Sequence, residues 1–342
     1  MLKKLDKIQK SSINTIRKKL ENSVKILITT HSNPDGDAIG SALGLSLCLE
    51  NAGYNVVTMT PNDYPEFLQW LPGNDKVVRY TSNTRKAKEI IDSCDLIFAL
   101  DFNQPDRLAK MEKPVTASSA FKILIDHHPY PYDFTDVTIS DISVSSTAEK
   151  VYQFIVESGL KKFINKSVAE CLFTGVMTDT GAFNFNSSGP ETYAMVGELL
   201  SLKIDKDAVF DKVYNNYSAD RMRLMGYCLE SKMKVFPDLK TAYISITAEE
   251  LKRFNYQPGD TEGFVNLPLS IKGIVFAVLF IEKSDHIKVS FRSKGTFAVN
   301  EIARQHFSGG GHLNAAGGEI KKDLNATLRL FEELLPRYIK NE

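Results

Sequence analysis

Eight side chains able to bind a divalent cation fall in four short stretches: His31, Asp35 and Asp37; then Asp101; then Asp126, His127 and His128; then Asp179. Imidazole and carboxylate without thiolate suit a hard or borderline ion such as Mn²⁺ or Mg²⁺. So many carboxylates gathered in one place would repel one another unless cations balanced them. Two ions roughly 3.5–4 Å apart can clamp a phosphate and generate hydroxide from water near neutral pH, and that chemistry fits this ligand set. Taken singly, each residue has a blander role: Asp35 or Asp37 could cap a helix, and His31 could be a strand-end histidine bonded to backbone. Their recurrence at the ends of separate apolar runs favours a shared site.

Bringing these residues together requires a sheet. Apolar strand candidates at 24–30, 55–60, 95–101 and 121–126 alternate with helical patterns at 37–52 and 84–93, the signature of a parallel sheet covered by helices. Three of the four strands end in acidic or histidine-containing turns, and open α/β sheets place their chemistry at the carboxyl ends of strands. From about 145 the pattern turns helical, at 146–158, 166–177 and 191–202, followed by a polar helical connection over 205–231. A smaller α+β pattern comes next, with a hairpin around Pro237-Asp238, strands at 274–282 and 286–292, and a closing helix over 324–339. The expected fold is therefore α/β, a mainly parallel sheet with flanking helices plus a smaller α+β C-terminal domain. At the N-terminus Leu2, Leu5, Ile8, Ile13, Ile16 and Leu20 sit at helical spacing, which predicts an amphipathic helix packed on the first domain.

The chain of 342 residues carries 42 basic and 42 acidic side chains, so it lacks the strong positive field that binding long duplex nucleic acid by charge requires. The four cysteines, Cys48, Cys94, Cys171 and Cys228, form no CxxC pair, which fits a reducing cytoplasm better than a disulfide framework. The longest uninterrupted apolar run, Ile274 to Ile281, is well short of the roughly 18 residues of a membrane span. The lysine-rich N-terminus has no apolar h-region of a signal peptide.

At this point the motifs carry a family likeness. His31-Ser32-Asn33-Pro34-Asp35-Gly36-Asp37-Ala38 with Gly40-Ser41, the strand-end Asp101, Asp126-His127-His128, and Thr178-Asp179-Thr180-Gly181 resemble the four motifs of the DHH phosphoesterase superfamily. Ser308-Gly309-Gly310-Gly311-His312-Leu313-Asn314-Ala315-Ala316-Gly317 resembles the glycine-rich motif of the DHHA1 domain that accompanies it. The ordered match and the domain sizes are similar to the compact oligoribonuclease (nano-RNase) and pAp-phosphatase branch. The resemblance implies a DHH catalytic domain over 1–204, a helical connection over 205–231 and a DHHA1 substrate-binding domain over 232–342, with the active cleft between the two domains.

Residue by residue, the resemblance implies His31, Asp35 and Asp101 on one cation and Asp37, Asp101, His127 and Asp179 on a second, with Asp101 bridging. Mn²⁺ is the favoured ion, Mg²⁺ or Co²⁺ the alternatives. Asp126 is not a ligand in that pattern and would orient a histidine, while His128 would face the phosphate and serve the leaving oxygen. Arg292, with Ser293 and Lys294, resembles the substrate-binding strand and supplies a guanidinium for bidentate phosphate contact. Gly309, Gly310, Gly311 and His312 would hold the non-scissile part of a nucleotide through close backbone approach, although a tight turn would need glycines too. Arg107 either reaches the cleft or pairs with a local acid such as Asp106. Ser146 and Glu149 have the spacing of a capping box, which accounts for Ser145-Ser146-Thr147-Ala148-Glu149 without any substrate contact. Asn300 is as good a helix cap as a ligand. Gly36 would let the turn bring both aspartates inward, and Gly40 would let the next helix pack closely on the sheet.

The activity implied is that of a two-metal phosphodiesterase and phosphomonoesterase. It would hydrolyse short single-stranded RNA or DNA oligonucleotides to nucleoside 5′-monophosphates, and 3′-phosphoadenosine 5′-phosphate (pAp) to AMP and phosphate. The competing readings are a phosphodiesterase of cyclic or linear dinucleotides (pApA, pGpG), an exopolyphosphatase or pyrophosphatase-like hydrolase, and a non-catalytic nucleotide-binding module. No long duplex and no membrane partner is expected; a homodimer is left open.

Overall fold

The computed structural model describes residues 7–22 and 24–339. The chain divides into two units, with the boundary between Asn216 and Tyr217. Leu2 and Leu5 lie outside the described residues. Ile13, Ile16 and Leu20 of helix α1 (Lys7–Glu21) are buried in the main core of the first unit, as their spacing predicts.

The first unit continues with β1 (Ile26–Thr30), α2 (Gly36–Asn51), β2 (Val56–Thr60), β3 (Val78–Arg79), α3 (Thr84–Asp92), β4 (Leu96–Leu100), α4 (Glu112–Ala117), β5 (Phe121–Asp126), β6 (Val137–Ser140), α5 (Thr147–Glu157), α6 (Lys166–Asp179), α7 (Pro190–Ser201) and α8 (Lys206–Tyr214). Its six strands are all parallel, in the order β3-β2-β1-β4-β5-β6. The near-continuous apolar character of β1, β4 and β5 follows from burial on both faces. Alternate residues Ile26, Ile28, Leu96, Phe98, Ile123 and Ile125 join α1, α2, α5 and α6 in one cluster. Leu27, Ile97, Ala99 and Leu124 meet α3 and α4 in another. The chain runs outward through β1, β2 and β3, then crosses back to β4 on the other side of β1. The strand order therefore reverses between β1 and β4, and the crevice at such a switch point is where doubly wound sheets hold ligands.

The second unit comprises α9 (Ala219–Tyr227), β7 (Met233–Phe236), β8 (Thr241–Ile246), α10 (Ala248–Arg253), β9 (Phe276–Glu282), β10 (Ile287–Ser293), α11 (Val299–His306), β11 (Gly310–Gly311), β12 (Ala315–Ile320) and α12 (Leu324–Ile339). Its sheet has the order β11-β12-β10-β9-β8-β7 and is antiparallel except for β8 and β9. The segment expected as a helical connection holds α8 in the first unit and, in the second, α9 with the π-helical turn Cys228–Lys232 that continues it. Among the described residues no helix is long and apolar enough to cross a membrane.

Candidate active site

His31 is the first residue beyond β1, and its turn is braced from two sides. Asn33 adopts φ +53°, a conformation asparagine tolerates better than most residues. The Asn62 carboxamide, following β2, accepts from Ser32 Oγ at 3.0 Å and from the Asn33 N–H at 2.7 Å, and donates to Asn33 Oδ1 at 2.8 Å. From the β4 side, the Ser32 N–H donates to the Arg107 carbonyl at 2.7 Å. His31 Nδ1 lies 2.9 Å from the Ser32 carbonyl. A proton there leaves the lone pair on Nε2, which faces Asp101 Oδ2 at 3.5 Å and Asp35 Oδ1 at 4.0 Å.

Asp35 takes the capping role as well: Oδ1 accepts from the Asp37 and Ala38 N–H groups at 3.0 and 3.1 Å, starting α2. That cap sets Asp37 one residue inside the helix, pointing into the protein, while the Asp35 side chain stays about half exposed, at 49%. Asp101 follows β4 with φ +66°, so the chain leaves the strand in the left-handed region. Such conformations cost energy and are found where a site needs them.

β5 delivers the remaining ligands. His127 Nε2 lies 3.9 Å from Asp37 Oδ2, 3.8 Å from Asp101 Oδ1 and 3.7 Å from Asp179 Oδ2. The donor atoms of His31, Asp35 and Asp101 lie within 4.8 Å of one another, as do those of Asp37, His127 and Asp179. Asp126 orients His128, whose Nδ1 is 2.7 Å from its Oδ1. The other carboxylate oxygen of Asp126 is buried without a hydrogen-bond partner.

Asp179 reaches this place because α6 packs unusually close to α2. A Cβ on Gly40 would sit 2.6 Å from the Cys171 carbonyl oxygen and 2.7 Å from the Gly175 nitrogen, and one on Gly36 would strike Thr178. Gly36 and Gly40 are one helical turn apart on one face. One expected role is corrected: Gly40 serves helix-on-helix contact rather than helix-on-sheet, because α6 covers that face of α2, and Gly36, the first residue of α2, lies against Thr178 of α6.

The start of α5 also belongs to the site. The Thr147 N–H donates to Asp37 Oδ2 at 2.6 Å and the Ala148 N–H to Asp37 Oδ1 at 2.9 Å, while the Thr147 hydroxyl donates to Asp101 Oδ1 at 2.8 Å. The expected capping box is half formed. Ser146 Oγ accepts from the Glu149 N–H, but the Glu149 carboxylate turns to the N–H and hydroxyl of Ser145 and to Thr192 Oγ1.

Burial and mutual repulsion of the carboxylates dominate the electrostatics of the site. Burial, reinforced by Asp179, raises the pKa of Asp37 to about 7. Burial and then Asp37 hold Asp101 well above the ordinary carboxylate range, and burial lifts Asp126 to about 6. Burial lowers His31 and puts His128 well below the usual imidazole value. Neutral imidazoles among crowded carboxylates are the donor set a divalent cation binds. Donors about 2.1 Å from a common octahedral ion stand roughly 3 to 4 Å apart, and the observed separations fall in that range. The residues therefore fit divalent cations.

Arg107 is exposed, yet its backbone bond to Ser32 keeps it beside the His31 turn, where its charge helps depress both His31 and His128. In the second unit, Arg292 is half-buried on β10, with Nη1 donating to the Phe291 carbonyl at 2.9 Å. The side chains of two other expected contact residues are engaged within the unit, Ser293 buried and Lys294 exposed. Ser293 Oγ donates to the Phe297 carbonyl at 2.6 Å and accepts from Asn314, and the Lys294 ammonium donates to the Leu269 carbonyl.

The glycine cluster is strand rather than open loop: Gly310 and Gly311 pair with Gly317 and Ala316. Gly309 has no room for a Cβ, which would lie 2.0 Å from the Gly317 carbonyl oxygen, whereas Gly310 has open space there. The Gly309 and His312 N–H groups go to the Ala303 and Ala315 carbonyls. Asn300 does not cap α11. It lies inside the first turn, and its Oδ1 is buried without a partner.

The DHH family N-terminal domain model matches residues 25–176 and the DHHA1 domain model residues 240–339. The bifunctional oligoribonuclease and PAP phosphatase NrnA of Thermus thermophilus is 32% identical over 299 residues, 86% of this chain and 84% of that one. The chain belongs to the DHH family. This DHH protein is accordingly a phosphoesterase, a hydrolase of ester bonds. The Bacillus subtilis protein of the same name is 29% identical, covering 86% of this chain and 89% of its own. A crystal structure of an exopolyphosphatase-related protein from Bacteroides fragilis superposes with a TM-score of 0.94 at 45% identity, covering 98% of this chain and 99% of that one. RecJ of Thermus thermophilus in complex with Mn²⁺ shares the fold at 13% identity and a TM-score of 0.57, over 98% of this chain and 55% of its own.

Proposed function

We propose that this phosphoesterase uses two divalent cations, Mn²⁺ for preference, to hydrolyse short oligonucleotides to nucleoside 5′-monophosphates and pAp to AMP and phosphate. His31, Asp35 and Asp101 would hold one ion, and Asp37, Asp101, His127 and Asp179 the other. Asp101 carries the reading, because its Oδ2 faces the His31 group at 3.5 Å and its Oδ1 faces His127 at 3.8 Å. When bound, such ions offset phosphate charge and make water a competent nucleophile. The protein's own contribution is orientation. Asp126 fixes the His128 ring through Nδ1, leaving the other ring nitrogen to exchange a proton with a phosphate or leaving oxygen. Arg107 would add positive charge beside the same phosphate. We assign Arg292, Gly310 and His312 to holding the non-scissile phosphate. Ser293 would shape that strand through its buried hydroxyl bond to Phe297, and the exposed Lys294 would add positive charge at its end. The naming of two relatives as oligoribonuclease and PAP phosphatase supports this substrate class.

The relative described as exopolyphosphatase-related favours a second reading, phosphoanhydride hydrolysis. One experiment separates them: a product time course on labelled RNA oligomers of two to about twenty nucleotides, a range spanning short single-strand sites, with pAp, pApA and pyrophosphate in parallel. Mononucleotides from the short oligomers and phosphate from pAp are expected. Turnover of pyrophosphate alone would overturn the nucleotide reading in favour of the second.

A further inference from the structure

Thr147 stands outside every proposed ligand group, yet it touches both carboxylates at the heart of the site. It is the first residue of α5 and fully buried. The first N–H groups of a helix have no partner within it, and here the Thr147 and Ala148 N–H groups close on the two oxygens of Asp37. The hydroxyl of the same threonine donates to Asp101 Oδ1 at 2.8 Å. A helix needs no hydroxyl at this position, since the capping role is filled by Ser146. Nor is there slack around the arrangement: a Cβ on Gly175 would lie 2.6 Å from the Ala148 methyl and 3.0 Å from Asp37 Oδ1. Behind it, the buried Glu149 carboxylate ties the preceding turn through Ser145 and reaches α7 through Thr192.

We propose that Thr147 is a positioning residue that sets the torsion of the Asp101 carboxylate relative to Asp37, and so the affinity of both cation positions. Resting on the two-cation reading above, the argument is one of lone pairs. The hydroxyl occupies one lone pair of Asp101 Oδ1 and leaves the second for a cation, while Oδ2 stays turned toward His31. Without that bond the carboxylate can rotate about its Cβ–Cγ axis, and an oxygen is lost from one position or the other. The backbone N–H bonds to Asp37 survive any side-chain change, so the hydroxyl can be tested separately.

The test is calorimetric titration of the full chain with Mn²⁺, comparing the parent with Thr147→Val and Thr147→Ser. Valine keeps the shape and removes the donor, and loss of such an outer hydrogen bond weakens metal binding by roughly 10- to 100-fold. Thr147→Ser should restore binding to within about threefold of the parent, because the donor is kept. Where Thr147→Val does not fold, Thr147→Ala takes its place with the same expectation. A parent that binds Mn²⁺ and a valine or alanine variant that binds it equally overturn the role of Thr147 and leave the two-cation reading standing. Weakening by serine as large as by valine also overturns it, since the hydroxyl would then not be the cause. A parent that binds no Mn²⁺ overturns both.

Discussion

The same substitution, glycine to alanine, should have opposite effects at two helical positions of the first unit. At Gly40 the new methyl would lie 2.6 Å from the Cys171 carbonyl oxygen, 2.7 Å from the Gly175 nitrogen and 2.9 Å from its Cα. These are backbone atoms of α6, which cannot swing aside, so α2 and α6 must part. Overpacking of this kind costs about 1–3 kcal/mol, against a gain of about 1 kcal/mol from alanine's helix propensity. The net loss expected is up to about 2 kcal/mol. Gly197, exposed in the middle of α7, has nothing within 4 Å of the same methyl. There only the propensity acts, and stability should rise by about 0.5–1 kcal/mol. Urea denaturation followed by fluorescence suits the comparison, because the chain's single tryptophan is Trp70. It packs beside Ile39, Leu43 and Cys171 of α2 and α6. Separating the helices should also weaken Mn²⁺ binding, since Asp37 and Asp179 ride on them. Gly40→Ala matching or exceeding the stability of Gly197→Ala would refute the close-packing argument.

Three further outcomes follow from the site. Asp179→Ala should abolish hydrolysis of every substrate while shifting the Trp70 unfolding transition by less than about 1 kcal/mol, because the side chain sits at the solvent end of α6; equal rates for variant and parent would remove Asp179 from the machinery. His128→Asn should lower kcat by roughly 10²- to 10⁴-fold, the range of a lost proton-transfer group, with Mn²⁺ affinity kept, and an unchanged kcat in steady-state assays would leave His128 a structural residue. Arg292→Ala should raise KM for pAp by about 10- to 100-fold, the equivalent of about 1.5–3 kcal/mol for a charge-assisted bond, without altering Mn²⁺ titration; an unchanged KM would mean that β10 does not hold the phosphate.

The parts of this architecture that local pattern controls were readable from the residues. β1, β4 and β5 are near-continuous apolar runs because both faces of a parallel sheet are covered, and with β2 each ends within two residues of its expected boundary. The donors gather because His31, Asp101 and Asp126 end neighbouring strands. What escaped the sequence was set by tertiary contact. Thr147 is 110 residues from Asp37, and its pattern is that of an ordinary capping segment. Asn62 braces a turn 29 residues earlier through a carboxamide no motif marks. Gly40 could have packed on sheet or helix, and only the position of α6 decides. The glycine run at 309–311 reads as a phosphate-cradling backbone or a tight turn, yet Gly309 is required by a carbonyl oxygen of the neighbouring strand. β3 and β6, at the sheet edges, have only two and four residues, too few for alternation to stand out.

The central claim is that one carboxylate, Asp101, joins two cation positions. Anomalous diffraction from Mn²⁺-soaked crystals tests it most directly. Two peaks are predicted, one contacted by His31, Asp35 and Asp101, the other by Asp37, Asp101, His127 and Asp179. No peak among these residues, or a single peak that Asp101 does not touch, would contradict the account.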